Sequence, residues 1–159
     1  VPRAEERTIN TQLPDFEAPV IKTYSLESTI AEKFDAILQR FELTGRMKDF
    51  YDIYYLSRTF DFEGAKLQAA VFETLQRRGT PYDRDSFKRV VALADDEDMQ
   101  KRWKFFLKTI KDDALEFSVV IGEIQTFLEP VFDAIVNEEE WLGSWKSHHN
   151  IWIDLLDER

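Results

Sequence analysis

The sequence is poor in the residues that make disulfides and tight turns. Among its 159 residues it has no cysteine, five glycines and five prolines. Without cysteine the chain can form no disulfide and no zinc–cysteine site, and it has no thiol nucleophile. An all-β fold needs many turns, for which glycine and proline are the usual residues. The composition therefore predicts a mainly α-helical protein.

Long apolar runs are also absent from the sequence. No stretch has the length and hydrophobicity of a transmembrane helix, and no signal peptide is recognisable. Hydrophobic residues make up 43% and charged residues 33% of the chain, which is typical of a globular domain. The length suits one domain with its own hydrophobic core. We take a cytoplasmic location as the default expectation.

The charge balance and the missing motifs narrow the function classes. A formal net charge of −10 argues against the chain alone as a nucleic-acid binder, because phosphates require a positive surface. The charge does not exclude a nucleic-acid substrate for a larger protein of which this chain is a part. The sequence contains no P-loop, no dinucleotide-binding glycine fingerprint, no G-x-S-x-G and no H-E-x-x-H.

One lysine stands out in the first strongly periodic segment. Ser25 can cap a helix whose apolar residues recur with helical spacing. These are Leu26, Ile30, Phe34, Ile37 and Phe41. Lys33 lies beside this stripe rather than on the opposite, polar face. It can snorkel to solvent, pair with a carboxylate or bind an anionic ligand, and geometry alone favours snorkelling.

A second helix is predicted after the turn at residues 44–45, and it carries two aspartates. Asp49 and Asp52 are three residues apart, so they project from one side of the helix. Arg46 precedes Asp49 by three residues and Lys48 precedes Asp52 by four, which allows local ion pairs. Two such carboxylates could instead act as a general base or bind a metal ion. Spacing alone favours the ion pairs.

The two helices together carry a recognisable pattern. Y-S-L-E-x-x-I-A-E-K followed by R-x-K-D-F-Y-D-I resembles the downstream half of the AbiEii/AbiGii family of nucleotidyltransferase-like proteins, which includes toxins of type IV abortive-infection systems. The match is close over about thirty residues, and a looser helical similarity extends through much of the chain.

The resemblance implies specific roles for five residues. Lys33 would contact the phosphates of a nucleotide, with Arg46 and Lys48 as further nucleotide-binding residues. Lys33, Asp49 and Asp52 would form the catalytic group. The resemblance also implies Mg²⁺ and an NTP for the intact protein, transfer of a nucleotide to RNA or protein, and a cognate antitoxin as partner.

The sequence departs from the family pattern upstream of Lys33. The family has a G-S turn that grips the triphosphate and a D-x-D pair that binds metal, and neither precedes Lys33 here. The D-x-D at residues 83–85 follows the lysine, and we assign Asp83 to a turn or helix cap. The chain also begins at Val1 rather than at methionine. We therefore expect the C-terminal part of a longer nucleotidyltransferase, inactive alone and binding no metal itself.

A non-catalytic helical interaction module is the alternative. Burial of Lys33 against a structural carboxylate, with no open cleft beside Asp49, would favour it. The aromatic tail at 141–152 could then serve as a partner surface, although we expect it to fold back over the helices.

We predict two regions in the chain. Residues 1–24 form an extended lead-in with one edge strand at 16–24, which the family resemblance assigns to the nucleotidyltransferase core. Without that core the strand either pairs with another chain, as in a homo-oligomer, or is poorly ordered. Residues 25–159 form a bundle of about five to seven helices. We expect a break at 57–59, with Asp61 capping the next helix, and a kink or split at Pro130.

A basic stripe is predicted on a later helix. Lys101, Lys104, Lys108 and Lys111 recur at intervals of three and four residues, after an acidic run at 95–98 that we assign to capping. The stripe is either a solvated face or a ridge for RNA or an acidic partner, and the solvated face is the commoner case.

Overall fold

The chain folds into a helical bundle with a small sheet at one side. A computed structural model describes residues 25–40, 46–112 and 114–154. Its six α-helices are α1 (Leu26–Arg40), α2 (Met47–Thr59), α3 (Gly64–Arg78), α4 (Ser86–Ala92), α5 (Glu97–Ile110) and α6 (Phe117–Val136). Its strands are β1 (Phe62–Glu63), β2 (Ser144–Lys146) and β3 (Ile151–Ile153). The predicted helical bundle is confirmed. The predicted edge strand at 16–24 lies outside the described residues.

The core forms where α1, α2 and α3 pack together and α6 covers them. α1 lies mainly against α3 and α2, and α6 contacts α2, α3 and α4. Helix α6 supplies a broad buried stripe because its apolar residues recur on one face. Among them are Val120, Ile124, Phe127, Leu128, Val131 and Phe132.

Pro130 does not split α6. The helix runs without interruption from Phe117 to Val136, so of the two predicted outcomes, a kink or a split, the split does not occur. Proline removes one backbone hydrogen bond. Here Phe127, Val131 and Phe132 are buried on both sides of that position, and their packing keeps the last turns helical.

Most predicted helix caps are present. The Ser28 N–H donates to the Ser25 hydroxyl at 3.1 Å, and the Met99 N–H donates to Asp96 at 3.0 Å. Gly79 ends α3 with a φ of 64°, a left-handed conformation that glycine adopts without steric cost. The amide of the following residue, Thr80, donates to the Leu75 carbonyl at 3.0 Å, which completes a Schellman motif.

Two predictions between α2 and α3 are wrong. Residues 57–59 do not break α2, which continues to Thr59. The hydroxyls of Ser57 and Thr59 donate to carbonyls one turn back, so these polar side chains are accommodated within the helix. Asp61 does not cap α3. It accepts hydrogen bonds from the Ser147 N–H at 2.8 Å and from the Ser147 hydroxyl at 3.0 Å, so it anchors the C-terminal segment instead.

The aromatic tail folds back over the bundle, as predicted, and does so as a β-hairpin. β2 and β3 pair antiparallel, and β2 also pairs with β1, giving the order β1-β2-β3. Trp145 is completely buried, with its ring centroid 4.9 Å from that of Phe127. Its indole N–H donates to the Ser57 carbonyl at 2.6 Å. This hydrogen bond fixes the hairpin against the C-terminal end of α2.

Gly64 permits the close approach of the tail. Its amide donates to the Gly143 carbonyl at 2.8 Å, which joins the start of α3 to the tail. A Cβ at Gly64 would lie 2.5 Å from Trp141 Cδ1 and 2.7 Å from the Gly143 carbonyl oxygen. A side chain here would push the tail away from the bundle.

The basic stripe on α5 is shorter than predicted. Lys101, Lys104 and Lys108 are exposed on the helix, but Lys111 is its C-cap, with a left-handed φ of 56°. In the part of the chain that the structure describes, no helix is long and apolar enough to cross a membrane.

Replacing Trp145 by alanine tests whether the tail is part of the core. We expect Trp145→Ala to lower the free energy of unfolding by about 3 to 5 kcal/mol, because it leaves a cavity between Phe127 and the sheet. Urea denaturation measures the change. The matched control is the half-exposed Leu142→Ala in the same tail, with an expected change within about 0.5 kcal/mol. Equal effects of the two substitutions would contradict the docked tail.

Candidate functional site

Lys33 is held between the two aspartates of α2. Its Nζ lies 2.7 Å from Asp52 Oδ2 and 3.8 Å from Asp49 Oδ1. The Asp52 side chain is completely buried, and that of Lys33 retains 18% exposure. Of the three alternatives for Lys33, the structure shows pairing with a carboxylate. The Lys33 side chain nevertheless keeps some exposure and lines the cleft described below.

The sequence places these groups together through the packing of α1 on α2. Ile30 and Phe34 flank Lys33 and are buried, so the lysine lies at the edge of the α1 interface. Asp49 and Asp52 are one turn apart on the α2 face that meets this edge, next to buried Ile53. The carboxylates therefore pair across helices rather than with solvent alone.

Arg46 and Lys48 have different positions. Arg46 immediately precedes α2, and its Nε lies 3.5 Å from Asp49 Oδ2, which is the predicted local ion pair. The Arg46 side chain is about half exposed. Lys48 is half-buried on α2 and is not among the residues that line the cleft described next.

An open cleft of about 240 Å³ borders Lys33. Its lining residues come from α1, α2, α3 and the residue before α2. They are Glu32, Lys33, Asp35, Ala36, Gln39, Arg46, Asp49 and Arg78. Three of the five predicted site residues, Lys33, Arg46 and Asp49, thus share one cleft, while Asp52 lies behind it. The cleft brings together three cations and three carboxylates.

The polar contacts around Asp35, a further carboxylate that lines this cleft, were not predicted from the sequence. Asp35 is buried, and it accepts a hydrogen bond from the Thr80 hydroxyl. Gln39 Nε2 donates to the same hydroxyl oxygen at 2.9 Å, and Arg78 Nε lies 3.7 Å from Asp35 Oδ2. Asp35 falls two residues after Lys33, but its partner Thr80 is 45 positions further on, so helical spacing could not reveal the pair.

Burial raises the pKa of Asp35 above its ordinary value of 3.8, because the buried carboxyl loses the hydration of its charged form. The hydrogen bond from Thr80 and the charge of Arg78 act in the opposite direction but do not outweigh burial.

The D-x-D at residues 83–85 forms a turn, as predicted. The Asp85 N–H donates to Asp83 Oδ1 at 2.8 Å, and Arg89 Nη2 lies 3.2 Å from the same oxygen. The backbone hydrogen bond is the main reason that the pKa of Asp83 lies below its ordinary value.

The described residues do not fit a metal ion. Within residues 25–40, 46–112 and 114–154 there is no group of three or more His, Asp or Glu side chains that could hold one. Asp49 and Asp52 surround the ammonium of Lys33, which occupies the place that a cation would take between them. We therefore derive no chemical step through a metal held by these residues.

The fold and the cleft define a mainly helical protein with a lysine–aspartate site. A family model described as "Nucleotidyl transferase AbiEii toxin, Type IV TA system" matches residues 1–138. The chain belongs to this family, as the motif resemblance predicted. Comparison with curated proteins gave no match, and comparison with solved structures gave none. Membership suggests an NTP, a divalent metal and an antitoxin partner for proteins of this kind.

The lysine–aspartate pair can be tested by removing one or both charges. We expect Lys33→Met to lower the free energy of unfolding by about 3 kcal/mol or more, because it leaves the Asp52 charge buried without its ammonium. The double variant Lys33→Met/Asp52→Leu should recover most of this loss. Chemical denaturation measures both. The control is Lys66→Met, an exposed lysine paired with Glu63. A loss that persists undiminished in the double variant would contradict the pairing.

The raised pKa of Asp35 predicts a pH dependence of stability. Between pH 3.8 and the folded-state pKa, the native protein binds more protons at Asp35 than the unfolded chain does. The wild type should therefore lose stability relative to Asp35→Asn as the pH rises through this window. Unfolding free energies measured over that range test the trend, with Asp85→Asn as the control for an exposed carboxylate. Parallel curves for wild type and Asp35→Asn would show that the pKa is not raised.

Proposed function

We propose that this chain provides the phosphate-binding part of a nucleotidyltransferase that moves a nucleotide from an NTP to an acceptor, either RNA or protein. The observation that carries the proposal is the position of Lys33, held by Asp52 at the border of an open cleft. Family membership supplies the reaction class.

In this proposal Lys33 steadies the phosphates of the NTP. An ammonium held in one place offsets negative charge that develops on phosphate oxygens during transfer, and it needs no reorganisation to do so. Asp52 is a positioning residue, because it is buried behind the cleft and contacts Nζ at 2.7 Å. The exposed side of Lys33 is the side that an incoming phosphate would reach.

Asp49 is the carboxylate that can act on an acceptor. It lines the cleft, whereas Asp52 does not, so we assign Asp49 the role of general base or orienting group. Arg46 also lines the cleft and adds a second phosphate contact. Lys48 lies outside the lining, and we propose no direct contact for it.

We further propose that the 159-residue chain is inactive alone. No D-x-D precedes Lys33 in the sequence, and the described residues do not fit a metal ion. The metal ligands would then come from another part of the native protein. An RNA acceptor, the homo-oligomer and the cytoplasmic location remain predictions, as does a particular antitoxin.

The alternative of a non-catalytic module receives partial support. The contact between Lys33 and a completely buried Asp52 is what a structural ion pair would show. A purely structural ion pair does not require an open cleft, yet one lies beside Asp49. The cleft is the reason that we favour the nucleotidyltransferase.

Transfer from labelled NTPs tests the proposal. The protein encoded by the complete native gene should transfer label to RNA or protein, and Lys33→Gln should lower kcat/KM about 100-fold or more. Lys33→Arg keeps the charge and should retain part of the activity. The control Lys66→Gln should stay within about twofold of wild type, because Lys66 is exposed and its effect on stability is small.

Circular dichroism and the unfolding midpoint must show that each variant is folded. Equal transfer by a folded Lys33→Gln and by wild type would remove Lys33 from the mechanism. The absence of transfer from all four NTPs by the native protein would favour the non-catalytic module.

A further inference from the structure

We infer that Arg78, at the end of α3, is a further nucleotide-phosphate ligand of the cleft, held in place by Glu32 and Asp35. The inference builds on the proposed function, since it assigns one more residue to the same site. It comes from the three-dimensional arrangement, because Arg78 lies outside both segments that carry the motif resemblance.

The cleft collects one cation from each of three parts of the chain. Lys33 comes from α1, Arg46 from the residue before α2, and Arg78 from the last residue of α3. A triphosphate carries several negative charges along its length, so one lysine does not neutralise it. Cations on different walls of a cleft can contact successive phosphates.

Arg78 is fixed in place by carboxylates of α1. Its Nε lies 2.7 Å and its Nη2 lies 2.6 Å from Glu32 Oε1, and Nε lies 3.7 Å from Asp35 Oδ2. The Schellman motif at Gly79 and Thr80 fixes the backbone at this point. Because the guanidinium is already ordered, binding a phosphate would cost little side-chain entropy.

The guanidinium retains hydrogen-bonding capacity. An arginine has five N–H donors. In the described part of the chain, the contacts of Arg78 use Nε and Nη2, which leaves the two donors of Nη1. The side chain is 47% exposed, so a ligand in the cleft can reach it. Phosphate oxygens accept well from such a fork.

Arg77 provides a matched comparison. It precedes Arg78, is also about half exposed, and also pairs with Glu32. It does not line the cleft. If Arg77 and Arg78 served only to pair with Glu32, substitution of either would have a similar effect. If the cleft binds phosphate, only substitution of Arg78 should weaken binding.

The experiment measures KM and kcat for NTPs with the complete native protein. We expect Arg78→Gln to raise KM for the NTP by about ten- to a hundredfold, because a hydrogen bond to a charged phosphate is lost. Arg78→Lys should restore part of the affinity, since it keeps the charge but not the fork. Arg77→Gln should leave KM within about twofold, because it lies outside the cleft.

Unfolding midpoints separate binding from folding. If Arg78→Gln does not fold, the test uses Arg78→Lys, whose KM for the NTP should still exceed that of wild type. An unchanged KM in a folded Arg78 variant overturns the inference and leaves the nucleotidyltransferase proposal intact. Equal increases in KM for Arg77→Gln and Arg78→Gln also overturn it.

If the native protein transfers no nucleotide, calorimetric titration with ATP, GTP, CTP and UTP can still measure NTP binding. NTP binding that weakens in Arg78→Gln would support the phosphate contact even though the proposed transfer had failed. No NTP binding by the wild type would overturn both.

Discussion

The site depends on one ion pair, between Lys33 of α1 and Asp52 of α2. Asp52 is completely buried, and a buried carboxylate is stable only when a cation or hydrogen-bond donors compensate its charge. Lys33 supplies that cation and is thereby held at the edge of the α1–α2 interface. The contact that compensates the buried charge of Asp52 therefore also fixes a lysine that lines the cleft.

The cleft is built by three helices that bring opposite charges together, with basic residues at the end of α3 and acidic residues in the middle of α1. Arg77 and Arg78 end α3 and meet Glu32 of α1, while Asp35 is buried against Thr80. These contacts bring the end of α3 against the same helix that carries Lys33. The proposed ligand site therefore adjoins the interface between α1 and its two main neighbours, and the structural ion pairs lie in one cluster with the proposed ligand-binding charges.

Local sequence patterns predicted the helices, most caps and the grouping of Lys33 with Asp49 and Asp52, because helical spacing and a family motif both act over short distances. They did not predict Asp35 with Thr80, Arg78 with Glu32 or Asp61 with Ser147, since each pair joins residues more than forty positions apart. The three strands in the described part of the chain were not predicted, because they are two or three residues long and too short to show an alternating pattern.

A structure of the complete native protein with a non-hydrolysable NTP would test the central claim most directly. The account predicts the triphosphate in the cleft, with Lys33 Nζ about 3 Å from a phosphate oxygen and Asp52 still behind it. A nucleotide bound elsewhere, with Lys33 contacting only Asp49 and Asp52, would contradict the account and make the ion pair purely structural.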